Sequence, residues 1–175
     1  MDVEIDFRPV QLRDLIELPE GATERAPRPK LGPRKSTDYQ SSVRHWSTLC
    51  DAKMSPDAAD FMRSDTSLAL RGALVARDEG RFAEYHHPAY RARWAEPRDL
   101  SEREVVRELL SGAGLDADAA LARAESDELV ARLQRDTQQA IERGIFGVPT
   151  IFVGEEMFWG NDRFELVRHY LNETA

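Results

Sequence analysis

The stretch GIFGVPTIFVGEEMFWGNDRF (residues 144–164) decides how this chain is read. Its two short apolar runs, PTIFV and EMFW, have strand composition and are joined through Gly154, Glu155 and Glu156, which predicts a β-hairpin. Gly144 follows a helical pattern and fits the position just past a helix end. Gly160, Asn161 and Asp162 precede a second helical pattern with Phe164, Val167 and Leu171 on one face, so Asn161 or Asp162 is the candidate N-cap. Pro149, taken alone, does no more than start a strand. The expected order at this end of the chain is helix, hairpin, helix.

Outward from there, residues 38–138 read as helical nearly throughout. Ser55 and Pro56 open one helix, whose stripe runs through Met62, Ala69, Ala73 and Ala76 to a stop near Gly80. Ser101 and Glu104 have capping-box spacing, ahead of a face formed by Val105, Leu109 and Ala113. A short helix from Ala117 precedes a longer one over residues 127–143, with Leu129, Leu133 and Ala140 inward. VEIDFRPVQL (residues 3–12) alternates apolar and polar residues up to Arg8-Pro9, the pattern of a strand that ends there or borders an edge. Residues 19–35, rich in Pro, Gly, Arg and Lys, read as a loop. The expected organisation is one domain over residues 1–175, with 1–37 and 139–175 as its α/β part and 38–138 as a helical insertion.

The 175 residues are 41% hydrophobic, enough for one core. A net charge of -8 repels nucleic acid and anionic membranes, so neither is an expected partner. Positive charge concentrates only in RAPRPKLGPRK (residues 25–35). No apolar run has signal-peptide character or membrane-spanning length, and a cytoplasmic setting is the expectation. Cys50 is the single cysteine, too little for an internal disulfide, a Cys-x-x-Cys redox pair or a structural zinc site. It is expected to be a small buried hydrophobe. His86 and His87, adjacent on a helix, point about a hundred degrees apart and do not chelate one ion. No metal is expected, and Tyr90 and Trp94 are expected to pack at i, i+4.

AIERGIFGVPTIFVGEEMFWGNDRFELVRHYL (residues 140–171) and YRARWAEPRDLSEREVVRELLSGAGLD (residues 90–116) carry a family likeness. The chain resembles 2-hydroxychromene-2-carboxylate isomerases and kappa-class glutathione transferases, with looser likeness in LGPRKSTDYQSSVRHW (residues 31–46). The resemblance implies a thioredoxin-like sheet interrupted by a large helical insertion, glutathione as cofactor and a conjugated, aromatic-type small molecule as substrate. It implies a cis bond at Val148-Pro149, with the Val148 N–H and C=O left to pair with the cysteinyl part of glutathione. It also implies a seat for the γ-glutamyl end, with Asn161 and its N–H taking the carboxylate and Asp162 the ammonium. Plain helix capping is the alternative for both residues. Lys35 aligns with a lysine that reaches the glycyl carboxylate, and a solvated basic loop is its alternative.

VEIDFRPVQL matches the family's second strand. The first strand and helix, which carry the sulfur-activating serine, have no counterpart. The expected fold is therefore α/β and thioredoxin-like with the first βα unit missing from this chain, and no catalytic residue is assigned. Three explanations stand open: a start at a late methionine, a sheet completed by a partner chain or a homo-oligomer, or a repurposed family member. The functional expectation is a glutathione-dependent isomerase or transferase-like protein. The alternative is a non-catalytic thioredoxin-like binding or assembly subunit. A disulfide oxidoreductase is disfavoured by the lack of Cys-x-x-Cys.

Overall fold

The computed structural model describes residues 3–15, 32–61 and 64–174. Met62 and most of the loop expected over residues 19–35 lie outside them. By internal contact the chain divides into two compact units, Met1–Thr23 with Arg132–Ala175, and Glu24–Ala131. The helices are α1 (Leu12–Leu15), α2 (Pro33–Leu49), α3 (Ser67–Asp78), α4 (Phe82–Trp94), α5 (Arg103–Gly112), α6 (Ala117–Glu125), α7 (Asp127–Glu142) and α8 (Phe164–Thr174). Strands β1 (Thr150–Val153) and β2 (Glu156–Trp159) lie between α7 and α8, and 3₁₀ turns span Pro56–Phe61 and Asn161–Arg163.

In the unit Glu24–Ala131, α3 is central and packs against α4, α5 and α6. It can hold that place because its buried face is mostly small: Ala69, Gly72, Ala73 and Ala76, beside Leu74 and Val75. Small residues let neighbouring helices approach closely. A Cβ on Gly72 would lie 2.5 Å from the Tyr85 Oη, so only glycine fits there. Tyr85, 1% exposed, donates its hydroxyl to the Ala69 carbonyl at 2.9 Å, and burial pushes its pKa up. Val105, Val106, Leu109 and Leu110 from α5 and Leu121 from α6 complete this core.

Several local expectations change here. The helix expected from Pro56 is broken: a 3₁₀ turn comes first, and α3 starts anew where Asp65 Oδ1 accepts the Ser67 N–H at 2.9 Å. The capping box does not form, because Ser101 gives its N–H and hydroxyl to the Asp99 carboxylate at 2.9 and 2.7 Å. Those two bonds, the backbone one foremost, hold the Asp99 carboxyl below the usual carboxylate range. Cys50 is exposed rather than buried. It follows the last turn of α2, whose described side chains are all exposed or half-buried, so the thiol has no core to enter. On α4 the aromatic ladder runs through His86, stacked at 4.9 Å on Phe82 and 4.6 Å from Tyr90, instead of joining Tyr90 to Trp94. Burial first, and His87 second, lower the His86 pKa.

In the other unit, residues 3–11 are irregular rather than a strand, with Val3 51% and Ile5 66% exposed. A strand exists only through its neighbour, and the one sheet among the described residues is β1 with β2. The segment is held at Gln11, whose N–H donates to Thr137 Oγ1 at 3.0 Å. Thr137 is 2% exposed and sits with Leu133 and Ala140 on the inward face of α7. Gly144, at φ +82°, ends α7 as expected: its N–H reaches the Ile141 carbonyl at 2.8 Å and the Ile145 N–H reaches Ala140 at 3.0 Å. No helix among the described residues is long and apolar enough to cross a membrane.

Thr137→Val keeps the side-chain shape but leaves the Gln11 N–H without this acceptor. Urea unfolding is expected to show a loss of about 1–3 kcal/mol, mostly recovered in Thr137→Ser. Equal midpoints for all three proteins would contradict the anchor.

Candidate functional site

The hairpin register fixes everything near Pro149. β1 and β2 run antiparallel with Thr150 opposite Trp159 and Val153 opposite Glu156, which leaves Gly154 and Glu155 as a two-residue turn. Gly154 has φ +60°, as the first central residue of a type II′ turn requires. Alternation then sorts the side chains. Ile151 and Phe158 share one face, where the Phe158 ring lies 5.8 Å from Tyr170 of α8. Phe152, Met157 and Trp159 share the other. There the Arg143 guanidinium stands 3.6 Å from the Phe152 ring centre and Phe146 lies 4.8 Å from Trp159, ring to ring. The hairpin is thus held between α8 and residues 143–147. α8 turns Val167, Tyr170 and Leu171 inward, while Phe164, expected on that face, is 58% exposed. It stands at the junction with the 3₁₀ turn, before the α-helical face begins.

The Val148-Pro149 bond is cis. The Thr150 hydroxyl donates to the Gly147 carbonyl at 2.7 Å, and the Gly160 N–H donates to the Pro149 carbonyl at 3.0 Å. Gly147 lies directly under Trp159: a Cβ on it would be 2.6 Å from the indole Nε1. Among the described residues nothing hydrogen-bonds to the N–H or C=O of Val148, whose side chain is also open to solvent. A donor and an acceptor on one residue, both outside the hairpin ladder, have the geometry to pair with an added antiparallel strand.

Gly160, at φ +109°, turns the chain from β2 into the 3₁₀ turn. An Asp162 Oδ1 curls back over it, 2.5 Å from where a Gly160 Cβ would lie, and the positive φ strains any residue with a side chain there. Arg163 faces the Asp162 carboxylate at 3.6 Å. The Gly160–Pro149 hydrogen bond ties this turn to the cis-proline, so Val148, Pro149, Asn161 and Asp162 share one corner, with Asn161 and Asp162 exposed. Lys35 belongs to the other unit. It lies in the first turn of α2 and not in a loop, because Pro33 supplies a preset helical φ at the helix start. Sequence reasoning did not single out Phe146, Gly147, Thr150 or Trp159. Their signal was the Phe-Gly-Val-Pro-Thr and Trp-Gly spacing, which becomes a contact only through the hairpin register. No three His, Cys, Asp or Glu side chains among the described residues gather as metal ligands.

Residues 1–172 match the description of a DSBA-like thioredoxin domain. A 2-hydroxychromene-2-carboxylate isomerase of Sphingobium xenophagum is 29% identical over 170 residues, covering 95% of this chain and 82% of that protein. One from Pseudomonas sp. (strain C18) is 31% identical over 137 residues, covering 75% of this chain and 61% of that protein. A solved selenomethionine 2-hydroxychromene-2-carboxylate isomerase matches with a TM-score of 0.76 at 24% identity, covering 97% of this chain and 80% of that one. That last likeness is one of fold, a thioredoxin-type arrangement rich in helices with a small antiparallel sheet.

Gly147→Ala drives a methyl into the indole and is expected to cost about 1–3 kcal/mol in thermal or urea unfolding. The same substitution in a Trp159→Phe background is expected to cost less than half of that. Additive losses would show that the two residues do not meet.

Proposed function

The chain belongs to the DSBA-like thioredoxin-domain family, and we propose that it is a glutathione-dependent isomerase or transferase-like protein acting on a conjugated, aromatic-type small molecule. The observation that carries this reading is the Val148 N–H and C=O, unpaired among the described residues, beside the Asn161–Asp162 corner. The names of the relatives point the same way. In this reading Val148 pairs with the cysteinyl backbone of the tripeptide as an added strand. Asn161 and the free N–H groups of its turn receive the γ-glutamyl carboxylate, and Asp162 receives the neighbouring ammonium. Lys35, which the family resemblance implies for the glycyl carboxylate, is exposed at the start of α2. Bound glutathione would supply a thiolate for reversible addition to the conjugated bond of the substrate. The part of this chain is to bind and orient the tripeptide, and no described side chain is assigned to lowering the thiol pKa. The setting is a reducing cytoplasm.

A second reading rests on the sheet. β1 and β2 are the only strands among the described residues, so each keeps one edge without a strand neighbour. A non-catalytic thioredoxin-like subunit, completed by a second copy or by a partner chain, uses those edges for assembly. A monomer by light scattering across a wide concentration range would count against it.

Calorimetric titration with reduced glutathione tests the first reading. The wild type is expected to bind in the micromolar to millimolar range. Asp162→Asn is expected to weaken binding roughly tenfold or more, since it loses a charged hydrogen bond. Absence of heat at millimolar glutathione would contradict the cofactor assignment.

A further inference from the structure

The corner described above contains a conflict that the sequence resolves at one residue. Trp159 covers Gly147 so closely that a side chain there would have to push the indole aside. Glycine, in turn, leaves the backbone freer than any other residue does. Yet the peptide unit joining Gly147 to Val148 carries the very N–H that the proposed ligand must meet. A trans peptide unit is planar, with its C=O and N–H pointing in opposite directions. Whatever holds the Gly147 carbonyl therefore aims the Val148 N–H.

The Thr150 hydroxyl is that hold, donating to the Gly147 carbonyl at 2.7 Å from three residues along the chain. The next carbonyl beyond Val148, that of Pro149, is taken by the Gly160 N–H at 3.0 Å. Both carbonyls that flank Val148 are thus fixed from inside the protein, while the N–H and C=O of Val148 itself have no partner among the described residues. Trp159 closes the arrangement from the other side, because its residue position opposite Thr150 lays the indole over Gly147.

We propose that Thr150 and Trp159 are positioning residues for peptide recognition: the Thr150 hydroxyl aims the Val148 N–H at the ligand, and the Trp159 indole confines the Gly147–Val148 peptide to that orientation. The ligand class is a short peptide that offers a backbone carbonyl and N–H in extended form. Its identity as glutathione rests on the function proposed above, whereas the aiming of the N–H does not.

Thr150→Val deletes the hydroxyl and keeps the shape, and Thr150→Ser keeps the hydroxyl. In calorimetric titration with glutathione, Thr150→Val is expected to raise Kd roughly five- to tenfold, the loss of about one hydrogen bond, with Thr150→Ser within about twofold of wild type. In ligand-free ¹⁵N-labelled protein, the Val148 amide resonance is expected to shift and broaden in Thr150→Val and to stay sharp in Thr150→Ser. Trp159→Phe, which keeps the hydroxyl but opens the space above Gly147, is expected to broaden the same resonance and serves if Thr150→Val does not fold. A lowered Tm with an unchanged Val148 resonance and unchanged Kd would show a merely structural role and overturn the proposal. If wild type binds no glutathione, the cofactor reading fails while the ligand-free Val148 resonance still decides the positioning. There, a sharp, unshifted signal in Thr150→Val and Trp159→Phe overturns it.

Discussion

The contact of Trp159 with Gly147 is the constraint on which the rest of the corner depends. It demands glycine at 147, and that glycine in turn demands the Thr150 hydrogen bond to keep its peptide in one orientation. It also needs Trp159 opposite Thr150, which follows from a two-residue turn with a positive φ at Gly154. A one-residue slip of the hairpin would carry the indole to the α8 face and leave Gly147 uncovered. The shape-specific stretch from Gly144 to Phe164 is therefore specific because its glycines, Thr150 and Trp159 answer to one another.

Within each unit, packing and not charge holds the elements. The chain carries many ion pairs, among them Arg103 with Glu125, Arg107 with Asp118 and Arg123 with Asp78. The first two stand largely in solvent, which screens them, so they add little to stability, and the third is still partly exposed. Buried apolar faces do more: Ala69, Ala73 and Ala76 against α4, α5 and α6 in one unit, and in the other the inward face of α7 at Leu133 and Ala140, with β1 packed on α8. Thr137 is notable because a buried hydroxyl on an apolar face is tolerated only when paired, and here its partner is the backbone of the irregular segment before α1.

Much of the fold was legible because it is local. Gly144 as a helix end, the hairpin, α6, and α7 with Leu129, Leu133 and Ala140 inward all follow from spacing within a few residues. What failed depended on partners distant in sequence or on competition between nearby groups. Residues 3–7 alternate like a strand, but alternation describes a face and cannot supply a neighbour to pair with. Ser101 had two carboxylates within reach, and Asp99 took its N–H and hydroxyl before Glu104 could complete a box. A lone thiol on a helix suggests burial, but α2 buries none of its described side chains and leaves Cys50 in solvent. The site was half legible. Val148, Pro149, Asn161 and Asp162 do come to one corner, yet the residues that shape it, Gly147, Thr150 and Trp159, speak only through the register.

The Val148 edge and the Asn161–Asp162 turn are proposed to form one receptor for a γ-glutamyl tripeptide. Titration of the ¹⁵N-labelled protein with reduced glutathione, followed amide by amide, tests it most directly. The account predicts that the amides of Val148, Asn161 and Asp162 move together and saturate with one dissociation constant. Saturable shifts confined to other parts of the chain, or none at millimolar glutathione, would contradict it.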